Sequence, residues 1–143
     1  MSLQHNKSIT RQFFEEAYNR GNLALLDQLL APNYVDQKAP PGTPSGPQGI
    51  AGIITMFRQA FPDLHFTIED QIAEGDEVAT RYTFRGTQQG ALMGIPASGK
   101  SVAISGISIY RITDGKMDQA WVEYDMLGLL QQIGAVPAPS PAN

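Results

Sequence analysis

The sequence predicts an α+β domain, in which a curved antiparallel sheet of about four long strands wraps over three N-terminal helices and a short C-terminal helix follows. Three observations carry that expectation. Apolar residues recur at three-to-four spacing through residues 9–61. From Leu64 to Asp125 that spacing gives way to runs rich in β-branched and aromatic residues. Helical spacing then returns in MLGLLQQIG.

The elements follow in order. Ile9, Phe13, Phe14, Ala17 and Tyr18 share one helical face, with Arg11, Gln12, Glu15 and Glu16 between them, and Gly21 closes the helix where a positive φ carries no steric cost. Asn22 is placed to cap a second helix, LALLDQLL, which Pro32 ends. A short extended piece, YVDQ, precedes the Pro/Gly loop KAPPGTPSGP. Helical periodicity resumes in QGIAGIITMFRQAF and stops at Pro62. Four strand-like runs come next: LHFTIEDQIAEG, DEVATRYTFRGTQQG, KSVAISGISIYRI and KMDQAWVEYD. Glu74-Gly75-Asp76, Pro96 to Gly99, and Asp114-Gly115 punctuate them, the last a strong two-residue hairpin signal. Gly134 ends the terminal helix, so residues 1–134 form a single domain and the Pro-rich 135–143 a disordered tail.

Composition narrows the functional classes. The 143 residues are 42% hydrophobic and 17% charged with net charge −4, and no dense Lys/Arg cluster offers a nucleic-acid face. No apolar run approaches the roughly 20 residues of a membrane-spanning helix. The N-terminal MSLQHNKSITRQ lacks a secretory apolar segment, which points to the cytoplasm. The absence of cysteine removes thiolate metal sites and a Cys nucleophile, and two distant histidines, His5 and His65, argue against a histidine metal site. Neither metal nor cofactor is expected.

The stretch GIPASGKS, Gly94 to Ser101, fits the phosphate-cradling pattern G-x-x-x-x-G-K-[ST]. A working phosphate loop leads into a helix whose N-terminal amides hold the anion. Here VAISGISIYRI follows, a β-branched run that reads as a strand, so the stretch is a connection between antiparallel strands.

What remains is a cupped sheet able to hold a small molecule. Alternation in QAWVEYD puts Trp121, Glu123 and Asp125 on one face and Val122 and Tyr124 on the other. A carboxylate at the inner end of that strand, beside Trp121, is a candidate acid or base; the competing reading is that Asp125 caps the last helix. Asp36 and Gln37 lie at the end of YVDQ, where they can face a cavity mouth. Arg111 can pair with a carboxylate. Phe14, Tyr18, Phe57, Phe61, Tyr82 and Phe84 are core residues, some of them pocket walls.

The run from Gly94 to Gly134 resembles the SnoaL-like polyketide cyclase (ester cyclase) family of the nuclear transport factor 2-like superfamily. The resemblance is carried by Gly94-x-Pro96-x-x-Gly99-Lys100, Gly106-x-x-x-Tyr110-Arg111, Asp114-Gly115-Lys116, Trp121-x-x-x-Asp125 and Leu127-Gly128-Leu129-Leu130-Gln131-Gln132, and it extends over about residues 7 to 134. It implies a cone-shaped barrel enclosing a pocket for a small apolar or aromatic carbonyl ligand, and a homodimer packed through the sheet. It further implies a cofactor-independent, aldol-type ring closure with Asp125 as acid and base. The residue reading and the resemblance together give Phe14, Tyr18, Gln37, Phe57, Gln88, Ser108, Tyr110, Trp121 and Glu123 as the candidate ligand-contacting residues. Two departures stand out: Gln37 and Gln88 occupy places where many relatives carry His. Ketosteroid isomerases of the same superfamily use a Tyr and a protonated Asp as an oxyanion hole, at positions that read Phe14 and Ser108 here. A non-catalytic carrier of an apolar ligand is the alternative to an enzyme.

Overall fold

The computed structural model describes residues 2–139. Helix α1 (Leu3–Gln12) starts where the Ser2 hydroxyl accepts the His5 amide at 3.0 Å. It widens into a π-helical turn, Phe13–Tyr18, with the Asn19 amide bonded to the Phe14 carbonyl five residues back at 3.0 Å. That turn buries Phe13, Phe14, Ala17 and Tyr18 together. Its C-terminal carbonyls are satisfied from α3, because Arg58 Nη1 donates to Tyr18 O at 2.6 Å and Asn19 O at 3.0 Å. Gly21, at φ +72°, makes room for this guanidinium: a Cβ there would lie 2.8 Å from Arg58 Nε.

The second helix is shorter than LALLDQLL predicts. A 3₁₀ turn, Leu23–Leu25, leads into the single turn of α2 (Leu26–Leu29), and Asn22 makes no side-chain cap. The chain is extended from Leu30 onward: Ala31, the residue before Pro32, avoids the helical region, and Leu30 and Tyr34 find burial as strand residues. This is β1 (Leu30–Asp36), a longer version of the extended YVDQ piece. After the Pro/Gly loop, α3 (Pro47–Ala60) begins with Pro47 in its first turn, where a missing amide costs nothing.

The sheet comprises β1, β2 (His65–Glu74), β3 (Glu77–Thr87), β4 (Ser101–Thr113) and β5 (Lys116–Tyr124), followed by α4 (Met126–Gln132). Strand order is β1-β5-β4-β3-β2, antiparallel except for the parallel β1–β5 pair. The α+β class and the curved sheet over helices are therefore as predicted, with a fifth strand added and the two end strands left unjoined, so the cone stays open. Asp114 (φ +52°) and Gly115 (φ +79°) make the expected two-residue hairpin.

GIPASGKS is the β3–β4 connection. Gln88 and the strand start are tied by two backbone bonds of 2.9 Å, Gln88 N–H to Lys100 O and Gly99 N–H to Gln88 O, and Ser101 opens β4 rather than a helix. The end of α4 docks on β4 beyond the reach of β5: the Gln132 amide side chain accepts from Ala103 N at 2.8 Å and donates to Ala103 O at 3.0 Å, standing in for a neighbouring strand. Gly134 (φ +82°) closes α4 as a Schellman turn, with Gly134 N–H on Gln131 O and Ala135 N–H on Leu130 O. Of the tail predicted as disordered, residues 140–143 lie outside the described residues.

Candidate active site

Side chains of β4 alternate strictly. Val102, Ile104, Gly106, Ser108, Tyr110 and Ile112 face the helices, while the odd-numbered residues face away. Register carries this parity to β5, where Ala120 pairs with Tyr110, Val122 with Ser108 and Tyr124 with Gly106. The inner face of β5 is thus Ala120, Val122 and Tyr124. The division of QAWVEYD into two faces is as the sequence predicts, but the faces are reversed. Trp121 pairs with Ile109 and Glu123 with Ile107 on the outer surface. A register irregularity beside Asp118 lets Met117 and Ala120, three residues apart, both point inward and sets the parity that follows.

Between this inner face and the helices lies a cavity of about 400 Å³. Phe13, Phe14 and Tyr18 of the π-helical turn form one wall, Ile50, Ile53 and Phe57 of α3 another, and Met126 and Leu129 of α4 a third. The aromatic walls pack on one another: Phe14 touches Phe66 at 5.2 Å and Tyr82 at 5.1 Å between ring centroids, and Tyr18 touches Phe66 at 4.6 Å. All five tyrosines of the chain, Tyr18, Tyr34, Tyr82, Tyr110 and Tyr124, line this one space. Burial raises each phenol above its ordinary range, so each stays a neutral hydrogen-bond donor.

Among the described residues one carboxylate lines the cavity, that of Asp36 at the end of β1. Burial raises its pKa, opposed by the Lys38 amide, which donates to Oδ1 at 2.9 Å. A second, smaller space of about 220 Å³ under the Pro/Gly loop shares Tyr34, Asp36, Ala39, Ile50 and Ile53 with the first, so Asp36 stands at the junction of the two. Lys38 lies at the mouth, its Nζ 2.9 Å from Glu123 Oε1 in an exposed pair.

The residues singled out from sequence divide accordingly. Phe14, Tyr18, Phe57, Ser108 and Tyr110 line the cavity; Gln37, Gln88, Trp121, Glu123 and Asp125 do not. Gln37 is exposed and its side chain reaches Gln119 at 3.4 Å. Gln88 is fully buried elsewhere, where it accepts from Ser98 N at 3.0 Å and donates to Ile95 O at 3.3 Å, fastening the GIPASGK connection. Asp125 leaves β5 at the sheet's end and caps α4, with Oδ1 accepting the Gly128 amide at 2.8 Å. Arg111 pairs bidentately with Asp118, at 2.9 and 2.8 Å, away from the cavity; this holds the Asp118 carboxyl below its ordinary range. Of Asp36 and Gln37, both expected at a cavity mouth, Asp36 lines the cavity and Gln37 does not. The further signal for Asp36 is alternation from Tyr34, since residues two apart on a strand share a face.

An open curved sheet, a helical lining and an apolar chamber lined by one carboxylate and several phenols define an α+β domain built around an internal pocket. A family model described as SnoaL-like polyketide cyclase matches residues 8–133. The chain belongs to that family, which has the nuclear transport factor 2-like fold. It is 30% identical over 131 residues to the aklanonic acid methyl ester cyclase DnrD of Streptomyces peucetius, covering 88% of each chain. It is also 30% identical to the aklanonic acid methyl ester cyclase DauD of Streptomyces sp. (strain C5), covering 88% of this chain and 80% of that one. Among solved structures, TsrD of Streptomyces laurentii superposes with a TM-score of 0.88 at 35% identity, covering 95% of this chain and 99% of the other.

Proposed function

We propose that the chamber closes a ring in a carbonyl-rich aromatic substrate by an intramolecular aldol step, with Asp36 as the base. The observation that carries this reading is that Asp36 is the one carboxylate among the cavity-lining residues, in surroundings that otherwise offer hydrocarbon and neutral phenols. The carboxylate takes a proton from the carbon alpha to one carbonyl, and the resulting enolate carbon forms a bond to a second carbonyl carbon. The alkoxide formed there takes a proton back from the carboxylic acid. Substrate and product are isomers, so the step balances without an oxidant or reductant. The relatives named as methyl ester cyclases support this choice of chemistry, and aklanonic acid methyl ester is the natural first probe. Incubation in deuterated water is expected to give the closed ring, with deuterium entering recovered substrate at the alpha carbon. Tight binding with neither closure nor exchange would make the domain a carrier.

A homodimer through the outer face of the sheet is part of the same proposal. That face exposes Ile72 (65%) on β2 and Ile107 (51%) and Ile109 (36%) on β4, with Trp121 of β5 beside Ile109. Ile107→Lys is expected to convert a dimer into a monomer in sedimentation velocity; an unchanged mass for that variant would place the interface elsewhere.

A further inference from the structure

On the floor of the cavity two hydroxyls meet. Tyr82 Oη of β3 and Ser108 Oγ of β4 lie 3.2 Å apart, with the two residues 4% and 0% exposed. They are not a directly opposed pair: Ser108 faces Thr80, and Tyr82 faces Gly106. The phenol reaches Ser108 because it lies flat across Gly106. A Cβ at Gly106 would come within 2.6 Å of Tyr82 Oη and 2.7 Å of its ring carbons. Gly106 is therefore the residue that lets the ring lean along β4, and it is the first residue of the Gly106-x-x-x-Tyr110-Arg111 pattern. Tyr110, two residues beyond Ser108 on the same face, adds a third hydroxyl to the same wall.

Proton counting shows what the pair can do. Two hydroxyls carry two donor protons, and the bond between them uses one. The Tyr110 hydroxyl, which also bonds Ser108, brings a third proton, so one proton of the three remains for an oxygen atom in the cavity. Its donor strength is raised by the first bond, since linked hydroxyls polarise one another in a low-dielectric site. We propose that Tyr82 and Ser108 form the oxyanion site of the reaction, donating to the carbonyl oxygen that becomes the enolate oxygen when Asp36 removes the alpha proton. This rests on the reading of Asp36 as the base. The two linked hydroxyls come from adjacent strands, β3 and β4, so the sheet itself holds their spacing. Burial lifts the Tyr82 phenol to about 12, so it remains protonated, and hence a donor, throughout the neutral range.

Two measurements test the site, one of them independent of turnover. Preorganised donors favour an aryloxide-like oxygen over none, so the wild-type protein is expected to bind 2-naphthol at least tenfold more tightly than naphthalene. Tyr82→Phe keeps the ring over Gly106 and removes only the hydroxyl; it is expected to abolish that preference while leaving naphthalene affinity within twofold. In turnover of aklanonic acid methyl ester, Tyr82→Phe is expected to lower kcat by roughly 10²–10³-fold with KM nearly unchanged, and Ser108→Ala to act in the same direction. A purely structural hydroxyl pair would instead leave the naphthol preference intact, and that result overturns the proposal, as would equal wild-type affinity for the two probes. Because naphthol binding needs no proton abstraction, the oxyanion site survives if Asp36 proves not to be the base, and falls alone if it is wrong.

Discussion

Asp36→Asn is expected to lower kcat by about 10²–10⁴-fold while ligand affinity stays close to that of the wild type. The substitution keeps the size of the side chain and its ability to accept the Lys38 amide, and removes only the titrating oxygen pair. The pH dependence gives an independent check, with the sign set by the direction of the shift. Burial raises the Asp36 carboxyl above the ordinary carboxylate range. The folded state thus favours the neutral acid, and its stabilising contribution is complete below the unfolded carboxylate pKa and lost as pH rises through the raised folded value. Wild-type turnover should climb over the same interval, because the charged form is the base. Asp36→Asn should show neither trend, and at pH 8 should be at least as stable as the wild type in urea. Asp125→Ala serves as the contrast: it should cost about 1 kcal/mol of stability through the lost helix cap, with kcat reduced far less. The opposite ranking of the two variants in kcat would move the chemistry to Asp125.

Phe14→Ala is expected to destabilise the protein by about 3–5 kcal/mol, a large share of the roughly 5–15 kcal/mol that holds a domain of this kind together. Phe14 is 1% exposed and contacts five aromatic rings, those of Phe13, Tyr18, Phe66, Tyr82 and Tyr110. Removing it empties the meeting point of the π-helical turn and the sheet, and the surrounding rings are held by one another and cannot all collapse into the space. A fall in urea midpoint with an unchanged m-value is the expected readout. Partial rescue of thermal stability by a bulky naphthalene ligand would show that the new void opens into the cavity. A loss below 1 kcal/mol would mean that the cluster repacks freely.

Most of the fold was legible in the residues. The change from helical to strand-like spacing at Leu64, the Asp114-Gly115 turn and the stop at Gly134 each have a local physical cause, and the structure has them where they were expected. β1 was harder to see, since its pairing is parallel and its partner β5 lies some eighty residues away. The site was legible in its walls and in the placing of Asp36 at the cavity mouth, while the catalytic expectation went to Asp125 instead. Trp121 drew the reading of β5 to the wrong face because a large aromatic is expected to be buried, yet the inward positions went to Ala120, Val122 and Tyr124. The irregularity at Asp118 that sets their direction leaves no mark in composition. Gln88 was weighed as a stand-in for a ligand-facing residue and is instead the fastening of GIPASGK. That role depends on backbone groups seven and ten residues away, which no spacing rule names.

The docking of Gln132 on Ala103 bears on how this protein behaves outside its native state. β4 extends past the end of β5, and the Gln132 side chain occupies the hydrogen-bonding positions left open there. α4 therefore acts as a stopper on a strand that would otherwise present free backbone donors and acceptors to any passing chain. A chain ending at Tyr124 would lose that stopper and offer β4 as a template for intermolecular pairing, so truncation at this point is a route to aggregation and not merely to a weaker fold.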